Sequence, residues 1–250
     1  MAFWQVLLLF GIGIVAGMIN VTAGGGSSLT LPALIFLGLE SALANGTNRV
    51  AIFIQNIAAV TSFRKEKLHE FKVSFKLAIW TLPGAIFGAL AAVKIDDYLF
   101  KKILGVVLII IVLSMLFSPA ANRSGVVVDT ENRHKWMVYP ALFGIGFYGG
   151  FIQAGVGFLL MATLFYLLRL DLLLVNVHKV FIVLIYTAPA LAIFIHSGNV
   201  DWLFGLSLAA GNALGGWWAA KLSAKKGVKF IRGFLFVAVL IMAGKLLGFY

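Results

Sequence analysis

Three consecutive glycines and two serines interrupt an apolar stretch near the start of the chain, GMINVTAGGGSSLTLP at residues 17–32. Glycine lets the backbone leave a helix without steric cost, and the freed N–H and C=O groups then need other partners. In a bilayer, such backbone persists only where it is buried in protein or lines a wet cavity. The segment 24–28 is therefore a candidate binding site, because the freed amides at helix N-termini favour anions.

A second break occurs in the later half of the chain, at Ala154-Gly155-Val156-Gly157. The sequence before it, GIGFYGG, lines up with GIGIVAG before the first break, and Gln153 then falls on Asn20. The agreement in motif order and spacing favours a duplication over the chance similarity of glycine-rich segments. Breaks at matching positions of two halves are typical of secondary transporters, whose substrates bind where the breaks meet.

Two basic residues also align across the halves, since Asn48-Arg49 falls on His178-Lys179. We place both at the starts of helices. An ionisable side chain at membrane depth is a functional candidate. If both turn inward, they form a positive pocket for an anion; the alternative is that both lie at the headgroup boundary and snorkel. His178 is a candidate for coupling to a proton gradient, and a hydrogen-bonded structural histidine is its alternative.

The rest of the chain must place these residues inside a membrane. Of its 250 residues 62% are hydrophobic and 12% charged, against about 25% charged in soluble domains. The mean hydropathy is +1.03, and apolar runs near the roughly 20 residues of a membrane span recur throughout. The composition predicts an all-α polytopic membrane protein. The net charge of +11 fits lysines and arginines in cytoplasmic loops better than nucleic-acid binding.

We expect about eight transmembrane helices in two homologous halves, each with a broken or re-entrant element. The first repeat covers 1–118, a cytoplasmic linker 119–135 and the second repeat 136–250. Residues 40–49 are predicted to form a polar connection before a helix. The predicted helices cover 3–21, 50–63, 73–93, 103–117, 136–153, 180–195, 202–220 and 230–248, with short apolar pieces after the breaks reaching 37 and 168.

Loop charge predicts how the halves are oriented. The basic loop 64–72 and the loop 196–201, which lacks lysine and arginine, occupy equivalent positions in the two halves. Because basic loops stay in the cytoplasm, these loops lie on opposite sides, which predicts inverted repeats in the cell membrane. If each broken element were a single bent crossing, the halves would instead be parallel. The basic loop 221–232 is expected to meet anionic lipid.

Enzyme motifs are absent from the sequence. It has no phosphate-binding loop after a strand, no paired metal-ligand histidines and no acidic residue within a clear apolar helix. We therefore expect neither catalysis, nor a cofactor, nor a bound metal. No oligomeric state is predicted.

Taken together, GMINVTAGGGSSLTLPALIFLGL, ANGTNRVAIFIQN and LPGAIFGALAAVKI resemble the TauE/SafE (sulfite exporter, TSUP) family of membrane permeases. The duplicated segments GFYGGFIQAGVGFLLMATL, NVHKVFIV and AAGNALGGWWAAKL fit the same pattern. The resemblance implies transport of small sulfur-containing anions such as sulfite, thiosulfate or sulfonated organic acids. The second half departs from the first in lacking the triple glycine and the serine pair.

The leading hypothesis is a secondary transporter of a small sulfur anion, with coupling to a proton gradient as one option. Its two halves would move relative to each other around the breaks and open the site to each side of the membrane in turn. A passive anion channel is the alternative; exchange and saturation would separate the two. A membrane-bound partner subunit is a third, weaker reading. The candidate substrate-binding residues are Asn20, Thr22, Gly24, Gly25, Gly26, Ser27, Ser28, Asn48, Arg49, Gln153, Gly155, Gly157, His178 and Lys179.

Overall fold

The computed structural model of the chain describes residues 3–68, 70–117 and 135–223. The predicted linker, apart from Lys135, and the predicted helix 230–248 lie outside these residues. Within them the chain forms nine α-helices and one short 3-10 helix, Lys135–Met137. The α-helices are α1 (Phe3–Thr22), α2 (Ser27–Phe36), α3 (Ser41–Lys65), α4 (Phe71–Lys94), α5 (Asp97–Phe117), α6 (Val138–Phe151), α7 (Val156–Leu167), α8 (Leu172–His196) and α9 (Trp202–Ser223).

Three of these helices, α1, α4 and α8, are long and apolar enough to cross a membrane. Large apolar side chains on the outside of the bundle remain exposed, including Trp80 and Phe87 on α4 and Ile110 on α5. In water such a surface would be costly, whereas in lipid it is the expected outer face. The helical architecture therefore fits a membrane protein.

Helix α3 corrects the predicted boundary at its start. The prediction of a polar connection over 40–49 is wrong, because α3 begins at Ser41 and continues to Lys65. Its first turns are polar because their side chains face the protein interior, where Asn45, Thr47 and Arg49 are fully buried. Arg49 thus lies two turns inside a helix and not at its start.

Helix α8 also begins earlier than predicted, at Leu172 and not near residue 180. The carboxylate of Asp171 accepts hydrogen bonds from the backbone N–H groups of Leu173 and Leu174, at 2.8 and 2.9 Å. A side-chain oxygen in this position satisfies two of the amides that a helix leaves free at its N-terminus. Lys179 consequently lies two turns inside α8.

The long helices form two groups of parallel neighbours. In the first, α9 runs parallel to α1, since Ser207 bonds Val6 and Gly17 lies against Asn212. It also runs parallel to α3, as the Thr47–Asp201 and Ser62–Trp217 hydrogen bonds require.

In the second group, α4 runs parallel to α6 and α8. Gly84 and Gly88 lie against the Phe143 and Phe147 carbonyls of α6. Ser74 bonds His178 near the starts of α4 and α8, and Ala92 packs with Phe194 near their ends.

Helices α3 and α8 join the two groups and run antiparallel. Gly46, early in α3, lies against Phe194, late in α8. Phe63, at the end of α3, packs with Val177, near the start of α8.

Glycine contacts in the two groups match residue by residue. Gly211 of α9 lies against the Phe10 carbonyl of α1, and Gly84 of α4 lies against the Phe143 carbonyl of α6. A β-carbon on either glycine would collide with that carbonyl, so the close approach of these helices requires glycine. Residues 10 and 143 differ by 133, and residues 84 and 211 by 127. The same differences relate the Gly215–Ile14 contact to the Gly88–Phe147 contact.

Candidate functional site

Both predicted breaks are present and both are buried. Helix α1 ends at Thr22 and α2 begins at Ser27, while α6 ends at Phe151 and α7 begins at Val156. Gly24 and Gly155 have φ angles of +86° and +69°, in the left-handed region that glycine enters without strain. Gln153 adopts φ +67° despite its side chain. Ser27 and Ser28 belong to the first turn of α2, not to the break itself.

Several backbone N–H groups at the breaks have no hydrogen-bond partner within the described residues. At the first break these are the amides of Gly25, Gly26 and Ser27, and no side chain caps α2. At the second break they belong to Ala154, Gly155 and Gly157, and α7 likewise lacks a side-chain cap. All six residues are buried. Unpaired buried amides at two helix N-termini are the donors that an anion would use.

The two breaks touch each other directly. A β-carbon on Gly24 would collide with the backbone of Gly157, and one on Gly157 would collide with the backbone of Gly24. These are the two glycines that align across the halves of the sequence. The breaks therefore meet in the protein interior, as the sequence predicted, and their contact leaves no space for a ligand between the two glycines.

Arg49 of α3 is fully buried and bonds the end of α6. Its guanidinium donates to the carbonyl oxygens of Gly149, at 3.0 Å, and Gly150. It also donates to Gln153 Oε1 at 2.8 Å and to Asn45 Oδ1 at 3.4 Å. The final carbonyls of α6 lack helical partners and carry the negative end of the helix dipole, so a cation there stabilises the helix end.

Lys179 of α8 has the equivalent role at the end of α1, with fewer contacts. Its Nζ donates to the Val21 carbonyl at 2.8 Å and to Asn176 Oδ1 at 2.7 Å, and lies 3.6 Å from Met161 Sδ. Within the described residues, neither Lys179 nor Arg49 forms an ion pair with a carboxylate. Both side chains are at most 2% exposed, so they turn inward and do not snorkel at the headgroups.

A small cavity lies between the breaks and Lys179. Its volume is enough for about one water molecule. Residues of five helices, α1, α2, α3, α7 and α8, and Gln153 of the second break form its wall, so five of the candidate residues converge at this cavity. Its lining residues are Asn20, Ser27, Ile52, Asn56, Gln153, Val156, Gly157, Lys179, Val180 and Val183.

The remaining predicted residues lie around this centre. Ser28 is fully buried and its hydroxyl has no partner in the described part of the chain. Asn20 donates to Gln55 Oε1 at 3.2 Å. The Thr22 hydroxyl donates to the Met18 carbonyl of its own helix at 2.7 Å, so it is used locally.

Asn48 and His178 connect α3 and α8 to neighbouring helices. Asn48 Oδ1 accepts from the Thr30 hydroxyl of α2 at 2.6 Å, while its Nδ2 has no partner among the described residues. His178 Nδ1 and Ser74 Oγ of α4 lie 2.7 Å apart. Both residues are buried beside the cation that follows them in sequence.

Sequence reasoning missed three polar residues that support the site. Asn176 accepts from Lys179, Thr187 Oγ1 accepts from Gln153 Nε2 at 3.3 Å, and the Tyr148 hydroxyl donates to the Ala154 carbonyl. Asn176 stands three residues before Lys179, a spacing that places both on one helix face. The sequence signal that would have revealed Asn176 is Asp171 followed by an apolar run. This pattern marks the start of a helix and would have placed Asn176 inside that helix.

The chain is similar to known proteins over nearly its whole length. A family model described as sulfite exporter TauE/SafE matches residues 9–246. A probable membrane transporter protein of Haemophilus influenzae is 29% identical over 241 residues, which cover 96% of this chain and 93% of the relative. The probable membrane transporter protein YfcA of Escherichia coli K12 is 28% identical, covering 96% of this chain and 88% of the relative. No solved structure matches the chain.

Apolar helices around two buried helix breaks define the chain as a helical membrane protein, and the relatives that it matches are named probable membrane transporter proteins. The chain belongs to the sulfite exporter TauE/SafE family.

Proposed function

We propose that this chain is a secondary transporter of a small sulfur-containing oxyanion, such as sulfite, thiosulfate or an organosulfonate. The anion would bind at the N-termini of α2 and α7, next to Lys179. The observation that carries this proposal is the set of six buried amides without hydrogen-bond partners in the described part of the chain. Such amides bind anions without any need for a specific side chain.

Charge at the breaks favours an anion over a cation. Arg49 and Lys179 already occupy the carbonyl ends of α6 and α1, so the negative helix ends are compensated. No side chain in the described part of the chain caps the N-terminal ends of α2 and α7 in a comparable way. Among the described residues, the cavity wall contains a lysine and no carboxylate. A negatively charged ligand therefore meets donors and a cation at this place.

The size of the cavity supports alternating access over an open channel. The cavity holds about one water molecule, and the Gly24–Gly157 contact closes the space between the breaks. A sulfur oxyanion is larger, so its binding requires the breaks to separate. Movement of one half relative to the other would separate them.

We infer that the two halves are inverted repeats. Support comes from the matched glycine contacts of α1–α9 and α6–α4, and from the antiparallel course of the counterparts α3 and α8. In this arrangement the basic turn between α3 and α4 faces the cytoplasm and the turn between α8 and α9 faces outward, in the cell membrane.

The substrate class rests on the family description, sulfite exporter TauE/SafE. A sulfonate or sulfite group has three oxygens that can accept from several amides at once, which suits the donor set at the breaks. Proton coupling through His178 stays a prediction. His178 directly precedes Lys179 in the sequence, and its ring is hydrogen-bonded to Ser74 of α4.

A liposome flux assay tests the proposal. Purified protein would be reconstituted and tested with sulfite, thiosulfate and an organosulfonate, with and without unlabelled substrate on the opposite side and with a pH gradient. We expect saturable uptake that is accelerated by internal substrate. Uptake without saturation or exchange would indicate the passive channel, and no uptake of any of these anions would refute the substrate class.

A pair of variants tests the position of the site. Ser27→Ala removes a hydroxyl from the cavity wall, whereas Thr22→Val removes one that is bonded within its own helix. We expect the KM for the anion to rise in Ser27→Ala and to stay unchanged in Thr22→Val. Equal KM values in the two variants would contradict a substrate site at the first break.

A further inference from the structure

We propose that the substrate leaves the breaks through a route past Val180 towards the turn between α3 and α4, and that Val180 is the gate residue of this route. The inference rests on the proposed function. To the proposed substrate site we add the direction in which it opens and the side chain, Val180, that closes it.

The route consists of two cavities that share one wall. The first lies between the breaks and Lys179, and Val180 forms part of its lining. The second, also with room for about one water molecule, lies nearer the start of α8 and the end of α3. Because Val180 lines both cavities and is only 2% exposed, its side chain separates them. The second cavity is lined by Val60, Phe63, Leu68, Phe71, Ser74, Val177, Val180 and Phe181.

The far end of the second cavity is the turn that joins α3 to α4. Leu68, in its lining, belongs to that turn. Arg64, Lys65 and Lys67 are exposed at the same turn and outnumber its exposed carboxylates, Glu66 and Glu70. A group of exposed cations at the mouth of a route attracts anions and raises their local concentration.

The wall of the second cavity is mostly apolar and aromatic. The rings of Phe71 and Phe181 lie 5.5 Å apart across α4 and α8, and Phe63 closes the cavity from α3. Ser74 is its polar member and is bonded to His178, the neighbour of Lys179. Apolar constrictions of this kind close a pathway to ions by excluding water, and they open with small side-chain movements.

The equivalent position in the other half lines neither of these two cavities. Val50, the counterpart of Val180, is 3% exposed and faces Gly205 of α9, where an added β-carbon would lie at ordinary contact distance, 3.4 Å, from the valine β-carbon. One turn earlier, Gly46 lies against the Asn199 carbonyl, and the Thr47 hydroxyl accepts from the Asp201 amide at 2.9 Å. This end of the bundle is therefore held by hydrogen bonds and backbone contact, whereas the Val180 end contains space.

Single-cysteine labelling tests the route, and the chain suits it because its natural sequence has no cysteine. Val180→Cys and Val50→Cys would each be treated with a membrane-impermeant maleimide, in right-side-out and in inverted membrane vesicles. Arg64→Cys and Ser197→Cys, both at exposed positions, would report which side the reagent reaches. Labelling after denaturation would measure the total thiol.

We expect Val180→Cys to react in the preparation where Arg64→Cys reacts, severalfold faster than Val50→Cys does there. A saturating organosulfonate, which does not react with the maleimide as sulfite does, should change that rate. Reaction of Val180→Cys only from the Ser197 side, or no faster than Val50→Cys from the Arg64 side, would overturn the route. Phe181→Cys, in the same cavity wall, replaces Val180→Cys if that variant does not fold.

Flux of the parent protein is measured separately from labelling. If Val180→Cys is labelled as expected but the parent transports none of the sulfur anions, the route stands and the proposed substrate is wrong. If the parent transports an anion but the labelling is not as expected, the proposed function stands and the route is wrong.

Discussion

Arg49 and Lys179 hold equivalent places in the two halves, yet their surroundings differ. Arg49 donates to four oxygen atoms and lies 4.7 Å from the ring centre of Phe194. Lys179 donates to two oxygens, contacts a methionine sulfur and borders the cavity. A guanidinium is a rigid planar donor that fixes its partners, whereas an ammonium is a point charge that exchanges partners easily. Arg49 joins α3 of the first half to α6 of the second, and under the proposed function we predict that Lys179 contacts the substrate.

The two cations are alike in their position relative to the broken helices. Each compensates the C-terminal end of the first helix at a break, α6 for Arg49 and α1 for Lys179. The N-terminal ends of α2 and α7 have amides without a hydrogen-bond partner among the residues that the structure describes. Each break thus combines a compensated negative end with an uncompensated positive end, and the field between them favours an anion.

The largest effect is expected where the halves are alike, at the contact between Gly24 and Gly157. Gly24→Ala and Gly157→Ala each place a β-carbon into the backbone of the opposite break. Since backbone cannot move aside as a flexible side chain can, the breaks must separate. We expect both variants to lose anion flux completely and to yield little folded protein, measured by liposome flux and by size-exclusion chromatography in detergent.

Gly38→Ala is the matched control for this pair. Gly38 also has a positive φ, +99°, but a β-carbon there meets no atom within 4 Å. The substitution therefore measures backbone strain alone, about 1 kcal/mol of unfolding free energy. If Gly38→Ala is as damaging as Gly24→Ala, the contact between the breaks is not what matters.

The second-largest effect is expected from substitution of Arg49, which should lower the unfolding free energy. Arg49→Met leaves the carbonyls of Gly149 and Gly150 and the side chain of Gln153 without their donor. Unsatisfied buried acceptors cost about 1–3 kcal/mol each, so we expect the unfolding free energy to fall by about 3 kcal/mol or more. The thermal unfolding midpoint in detergent measures the loss.

Arg49→Lys sharpens the result because it keeps the charge but not the planar fork. We expect it to restore only part of the stability. Full restoration by lysine would show that charge alone matters at this position, and the contrast with Lys179 would lose its basis.

Lys179→Met is expected to act on transport more than on stability. The variant removes two hydrogen bonds and the cation at the cavity. We expect flux of the sulfur anion to fall at least tenfold, the equivalent of about 1.4 kcal/mol. The unfolding midpoint should fall less than in Arg49→Met. A larger loss of stability in Lys179→Met than in Arg49→Met, with flux retained, would reverse the two assignments.

Sequence reasoning located the breaks because glycine and helix-ending residues act locally. Gly24 and Gly155 take up backbone angles that follow from residue type, so the pattern alone revealed them. The predicted start of α3 near residue 50 was wrong for a different reason. Polar side chains such as Asn45 and Thr47 are typical of a loop if a membrane helix is expected to contact lipid, but in α3 these side chains face the protein interior.

The inequality of Arg49 and Lys179 was not predictable from the aligned sequence. Both are cations after a polar residue, and their difference lies in partners far along the chain, Gly149 for Arg49 and Val21 for Lys179. Such partners depend on how the halves pack, which residue type and spacing do not specify. The position of Val180 between two cavities was not predictable either, because nothing in the sequence distinguishes it from other valines.

The smallest effect is expected from Ser28→Ala at the first break. The Ser28 hydroxyl is buried without a partner in the described residues, so its removal leaves no other group unsatisfied. We expect the unfolding free energy to stay within about 0.5 kcal/mol of the parent or to rise. The KM for the anion should rise severalfold, because the ligand loses a donor at the N-terminus of α2. Thr30→Val is the matched control on the same helix, since the Thr30 hydroxyl donates to Asn48 Oδ1. That variant should lose stability and keep its KM, and an unchanged KM in Ser28→Ala would place the anion away from α2.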